Sequence, residues 1–188
     1  MGPVSVFITR RNNTHDLVKR RTSEIAFDCE KVIGLNQPDL KFRSDIAGSI
    51  DLAISMEHVR LAGDPEGDSP HGDTREVLPT VAPVTAQEHK DRAKSLSRKE
   101  REYKAFDLLV KCLAGAYAEA AGQHPAVTYN DSYEQGYGSF WHLMQIVLPV
   151  ASEVAEADGI QFPQPPSESA RAQKIKRILK ERRKRLSR

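Results

Sequence analysis

The sequence predicts a mainly α protein: an antiparallel helix pair as core, an N-terminal helical or mixed α+β element, and a trailing basic helix. Three observations carry that expectation. Apolar residues recur at helical spacing in two long stretches of the second half. Helix-capping spacings precede the first of these stretches. The charges are also sorted into blocks: residues 168–188 carry a net +8 and the rest of the chain −6. The total of +2 is therefore a cancellation, of the kind that a charged tail or face produces.

Leu, Ile, Val and Phe number 43 of 188 residues, above the range in which a whole chain stays disordered and enough for one core. Residues 1–62 form the first segment. Residues 1–13, with Val4–Ile8 as the apolar run, read as a short strand followed by a polar turn. A helix is expected from Thr14 to about Leu35, with Leu17, Val18, Ile25, Cys29, Val32 and Ile33 on one side. Asn36-Gln37-Pro38-Asp39 ends it, because the residue before proline is pushed out of helical conformation.

Ser44–Ala62 fits two templates. Ile46, Ile50, Leu52, Ile54 and Met56 fall on alternate positions, as in a strand; Ile46, Ile50, Ala53, Ile54 and Leu61 fit one side of a helix. Helix is preferred, since Ser44 can cap it and Gly63 can end it. Within it, Leu52, Ile54 and Val59 match the apolar positions around the turn of a helix-turn-helix motif, with Ala53 in the usual glycine position and Ser49 where a small residue is wanted. Ser49–Ala62 thus resembles that motif, and the resemblance implies that Met56–Arg60 opens a recognition helix. Gly48 stands where an apolar residue belongs, and Gly63 cuts the second helix short. A core element is the default expectation.

Residues 63–84 hold Gly63, Gly67, Gly72, Pro65, Pro70, Pro79 and Pro83 among acids, and read as a flexible linker and domain boundary. Residues 85–162 are the expected helical core module. Thr85-x-x-Glu88 and Ser97-x-x-Glu100 are capping-box spacings, the second opening a helix to Ala121 with Gly122 as its stop. Its stripe is Phe106, Leu109, Val110, Leu113, Tyr117 and Ala120. The partner helix, Ser139–Asp158, repeats the spacing with Phe140, Leu143, Val147, Val150, Ala151 and Val154, and Pro149 should kink or split it.

Residues 163–188 are a proline spacer and a basic helix, capped by Ser167 or Ser169 and running to about Leu186. It carries Arg171, Lys174, Lys176, Arg177, Lys180, Arg182, Arg183, Lys184, Arg185 and Arg188 around a narrow stripe of Ile175, Ile178, Leu179 and Leu186. Such a helix is a solvated tail, a segment docked on the acidic body, or a polyanion-binding element that gains free energy by releasing counterions. An anionic lipid surface fits less well, because the apolar stripe lacks Trp or Phe anchors. Arg98, Arg101 and Lys104 form a second basic cluster that would extend the patch if the two helices lay together.

Tyr129, Tyr133, Tyr137, Phe140 and Trp141 cluster around turn-forming Asn130-Asp131 and Gly136-x-Gly138. They form either a lid on the helix pair or a partner-binding aromatic loop. Catalytic signatures are poor. Glu102-x-Lys104 falls on a helix where a nuclease site needs a strand, and Asp51-Leu52-Ala53 puts alanine where that site needs lysine. Asp64-x-Glu66-x-Asp68 lacks the glycine and distal glutamate of a calcium loop. The histidines show no metal-binding spacing, and Cys29 and Cys112 make neither a zinc cage nor a disulfide framework. No cofactor or metal is predicted, no run approaches the ~20 apolar residues of a membrane span, and a reducing cytoplasm is the simplest setting for two free thiols.

The leading functional expectation is a non-enzymatic nucleic-acid-associated protein that contacts phosphates without reading sequence. The alternative is a protein-interaction or adaptor module using the aromatic loop, its tail solvated or docked on the acidic body. The expected partner is nucleic acid or an acidic protein surface.

Overall fold

Pro3 suits the first turn of a helix, where its missing N–H leaves no bond unmade, and from it α1 (Pro3–Ile33) runs unbroken. The computed structural model describes residues 3–62, 103–130 and 135–187. After α1 come α2 (Leu40–Ala62), α3 (Lys104–Ala121), β1 (Thr128–Asn130), β2 (Gln135–Tyr137), α4 (Ser139–Ala157) and α5 (Glu168–Leu186). The mainly α expectation holds. The strand expected at Val4–Ile8 does not form, because that segment belongs to the opening turns of α1. A helix satisfies its backbone groups internally, whereas a strand needs a partner, and the strand pairing among the described residues joins β1 to β2.

α1 stops at Gly34, which takes a φ of 84°, while the Leu35 N–H reaches back to the Glu30 carbonyl at 2.9 Å. Asp39, not Ser44, caps α2: its Oδ1 accepts the Phe42 N–H at 3.0 Å. α2 is continuous through Ala53, so the helix-turn-helix likeness has no turn to rest on. Ile46, Ile50, Ala53 and Ile54 are buried along one side, whereas Leu52 and Met56 point outward, 50% and 36% exposed. Those two residues separate helix from strand, since a strand would have turned Ile50, Leu52, Ile54 and Met56 to one face.

α1 lies along α4, α2 along α3, and α1 against α2. α3 and α4 touch, with the Tyr117 and Phe140 rings edge-to-face at 5.5 Å, but they are not the packed pair the core is built on: α3 lies mainly along α2 and α4 along α1. One hydrophobic cluster takes residues from all five helices, so segments on both sides of residues 63–84 share it. The linker itself and the two capping boxes before α3 lie outside the described residues. Pro149 removes one backbone hydrogen bond but sits on the exposed side of α4, which stays a single helix.

Ion pairs brace the N-terminal half. Glu30, 3% exposed, accepts the Asp39 N–H at 2.8 Å and the Arg43 Nε and Nη2 at 2.7 and 2.8 Å. It thereby ties the end of α1 to the start of α2. The Arg43 guanidinium holds its carboxyl below the usual range, against the opposing effect of burial and with help from the Asp39 N–H. Arg21 of α1 reaches Glu153 of α4 through Nε at 3.0 Å, and His58 of α2 pairs with Asp158 at the end of α4.

β1 and β2 form an antiparallel ribbon with Thr128 opposite Tyr137, Tyr129 opposite Gly136 and Asn130 opposite Gln135. The Trp141 indole lies flat on Gly136. A Cβ there would sit 2.6 Å from Trp141 Cδ2 and 2.7 Å from Nε1. Trp141 is only 2% exposed and has little room to yield. Gly136→Ala is therefore expected to cost about 1–3 kcal/mol by overpacking, read as a lower melting temperature and a shifted emission of the single tryptophan. An unchanged melt would show that the indole does not pack there.

Candidate nucleic-acid interface

α5 begins where Ser167 caps it, the hydroxyl accepting the Ala170 N–H at 3.1 Å. Glu168 in its first turn and Arg183, Lys184 and Arg185 in its last complement the helix dipole. Ala172, Ile175, Ile178 and Leu179 are buried. Burying each large apolar side chain is worth about 1.5–3 kcal/mol. That is enough to hold against the body a helix whose cations would make it weak alone. The basic helix is thus docked through its apolar stripe, and Leu186 beyond the stripe is 63% exposed.

α5 runs parallel to α3. Lys174 Nζ lies 3.0 Å from Asp107 Oδ1, an ion pair outside hydrogen-bond geometry, and 5.7 Å from the centre of the Tyr103 ring. Eight residues further along both helices, the Arg182 side chain passes Gly115, where a Cβ would be 3.8 Å from Nη2. The ribbon and the segment leading into it pack on another side of α5: the Gly136 N–H donates to Glu168 Oε1 at 3.0 Å, and Arg183 Nη2 donates to the carbonyl of Pro125, just before β1, at 3.1 Å.

These contacts sort the predicted cations. Lys174 is turned inward. Arg171 is half-buried, its Nε without an acceptor among the described residues and its Nη1 3.4 Å from Gln164 Oε1. Arg182 is half-buried along α3. Lys176, Arg177, Lys180, Arg183, Lys184 and Arg185 are exposed. Among the described residues, Lys174 is the one α5 cation with a carboxylate within 4 Å. Burying the stripe therefore aims Lys176, Arg177, Lys180 and Lys184 at solvent along one face, with the neutral Gln173 among them and Glu181 at its border.

Lys104 is the exposed first residue of α3; Arg98 and Arg101 lie outside the described residues, as does Arg188. By the register of α3 on α5, Lys104 is level with Arg171, roughly 13 Å along the axis from Lys180. It extends the basic surface at its N-terminal end and does not merge with the Lys176–Lys184 face.

The aromatic cluster divides. Phe140 and Trp141 are buried in the core, Tyr129 is half-buried, and Tyr137 is 37% exposed on the ribbon; Tyr133 lies outside the described residues. Among the described residues, the surface part of this cluster is thus Tyr129 and Tyr137.

Sequence reasoning missed the buried Glu30 and Glu57. Both stand in step with an apolar stripe, Ala26-Glu30-Ile33 and Ile50-Ala53-Glu57, and a charge in such a position signals a buried ion pair. Arg60 Nε meets Glu57 Oε1 at 2.9 Å, and Glu57 Oε2 has no hydrogen-bond partner among the described residues. Among the described residues, His15 approaches Asp51 at 3.8 Å, and no group of three or more His, Cys, Asp or Glu could hold a metal ion. Burial, with the nearby charges of Asp28 and Glu30, pushes the Cys29 thiol up to about 12, so it stays protonated. Cys112 is half-buried, its thiol also raised by burial; both thiols are free. No described helix is long and apolar enough to cross a membrane.

No family model, curated protein or solved structure matches the chain. A functional reading therefore rests on this surface alone.

Proposed function

We propose that the chain is a non-enzymatic, nucleic-acid-associated protein that binds phosphates through the outward face of α5. One observation carries the reading: the helix is held by its apolar stripe, which leaves Lys176, Arg177, Lys180 and Lys184 presented to solvent on a rigid support. Self-neutralisation by the acidic body accounts, among the described residues, for Lys174 alone. A row of cations with helical spacing on a fixed element meets a polyanion without first ordering a flexible tail, which lowers the entropic cost of binding. Such contacts fix position on a backbone and carry no base information, so binding should depend little on sequence.

Salt dependence tests this. With about five phosphates neutralised on duplex DNA, log K should fall against log salt with a slope near −4.5. Replacing Lys176, Arg177, Lys180 and Lys184 together by Gln should flatten that slope by about 3.6 and leave the thermal melt almost unchanged. Substitution is the cleaner test than deletion, because removing residues 168–188 would also strip Ala172, Ile175, Ile178 and Leu179 from the core. Absence of binding at low salt, or an unchanged slope in the Gln variant, would sink the proposal.

A further inference from the structure

The fold brings together two features far apart in the chain, the basic helix and the aromatic ribbon. Cross-strand partners project on the same face of a ribbon. Trp141 covers the face that carries Gly136 and Tyr129; Tyr137 and Thr128 are therefore on the opposite, outward face, and both are exposed. α5 touches this ribbon through Glu168, and through Arg183 it holds Pro125 in the segment leading into β1. At about 100° per residue these two positions are about 60° apart around the helix, and Lys176 and Lys180 follow about 20° and 60° further toward solvent. Among the exposed cations of α5, those nearest the ribbon are thus Arg183, Lys176 and Lys180.

We infer that this junction takes a single-stranded nucleic acid in preference to a duplex, with the backbone along Lys176, Lys180 and Arg183 and one unpaired base stacked on Tyr137. The inference rests on the proposed function and specifies its ligand. A row of cations beside an exposed aromatic ring is the physical requirement for strand binding without sequence preference: charge tracks the backbone, and every base offers a π-face to stack. A duplex keeps its bases stacked on each other, so its phosphates would use the cations and leave the ring idle. The polar neighbours of Tyr137 on that face, Thr128 and Asn130, suit a solvated strand better than an apolar protein partner.

The experiment measures anisotropy of a labelled oligo-dT of about 20 nucleotides, and of a duplex of equal length, with the full chain and three variants. Tyr137→Ala should weaken oligo-dT binding about 5- to 150-fold, the loss of one stacked base, with duplex binding unchanged within about twofold. Tyr137→Phe should retain the affinity, which separates stacking from any hydrogen bond of the hydroxyl. Lys176→Gln with Lys180→Gln should weaken both ligands. A melt of each variant followed by Trp141 emission verifies folding. Equal loss on strand and duplex in Tyr137→Ala, or no loss on either, overturns the single-strand inference while the phosphate-binding reading stands. Failure of the wild-type chain to bind either ligand at low salt overturns both.

Discussion

Ile175→Asp is expected to destabilise the protein by about 4 kcal/mol or more, because it places an unpaired carboxylate at a fully buried position and removes the apolar contacts of Ile175. The next residue along the same helix should behave oppositely. Lys176→Glu, exposed and without an acidic partner among the described residues, should shift stability by less than about 0.5 kcal/mol while abolishing much of the polyanion affinity. Urea denaturation followed by Trp141 emission reads both. The indole rests on Gly136, whose N–H is bonded to Glu168 of α5, so the probe is coupled to the docked helix. Equal stability of Ile175→Asp and wild type would mean that the basic helix is a solvated tail.

Glu30→Gln should cost about 2 kcal/mol at neutral pH, since it weakens two charge-assisted hydrogen bonds from Arg43 at the turn joining α1 to α2. About a third of the Arg43 side chain is exposed, which keeps the figure below that of a fully buried pair. The carboxyl of Glu30 is held below its ordinary value in the folded chain. Its contribution is therefore fully present above the unfolded glutamate pKa of about 4.3 and is lost as pH falls through the lower folded value. The gap in stability between wild type and Glu30→Gln should stay constant from about pH 7 to 5 and close below about pH 4. A gap independent of pH would assign the loss to shape instead of charge.

Much of the helical content was legible because wide stripes dictate period. Leu109, Leu113 and Tyr117 in α3, and Phe140, Leu143, Val147 and Val154 in α4, are buried where the spacing puts them. The stops at Gly122 and Gly159 also fall where expected. α1 was harder to read, because its buried side runs Val18, Thr22, Ala26, Cys29 and Glu30, mixing small, polar and charged residues that a hydrophobicity pattern undercounts. The cap of α2 was misplaced because Ser44 and Asp39 are equally good caps in isolation. Only the position of Asp39 against the Phe42 N–H and the Glu30 carboxylate decides between them.

The charge on the last 21 residues, +8 against −6 elsewhere, is a property of the sequence alone, as is the presence within them of a narrow apolar stripe. Charge and period are local quantities that survive any fold. Which cations face water is not local. It follows from where the stripe of Ala172, Ile175, Ile178 and Leu179 finds its complement, and that surface is built by α3 and the ribbon, far away in sequence. Docking there turns Lys174 inward onto Asp107, leaves Lys176, Arg177, Lys180 and Lys184 outward, and sets Tyr137 on the ribbon that packs against their helix. The sequence determined a cationic amphipathic helix. Tertiary packing decided its orientation and its aromatic neighbour, because the burial of apolar area depends on both partners at once.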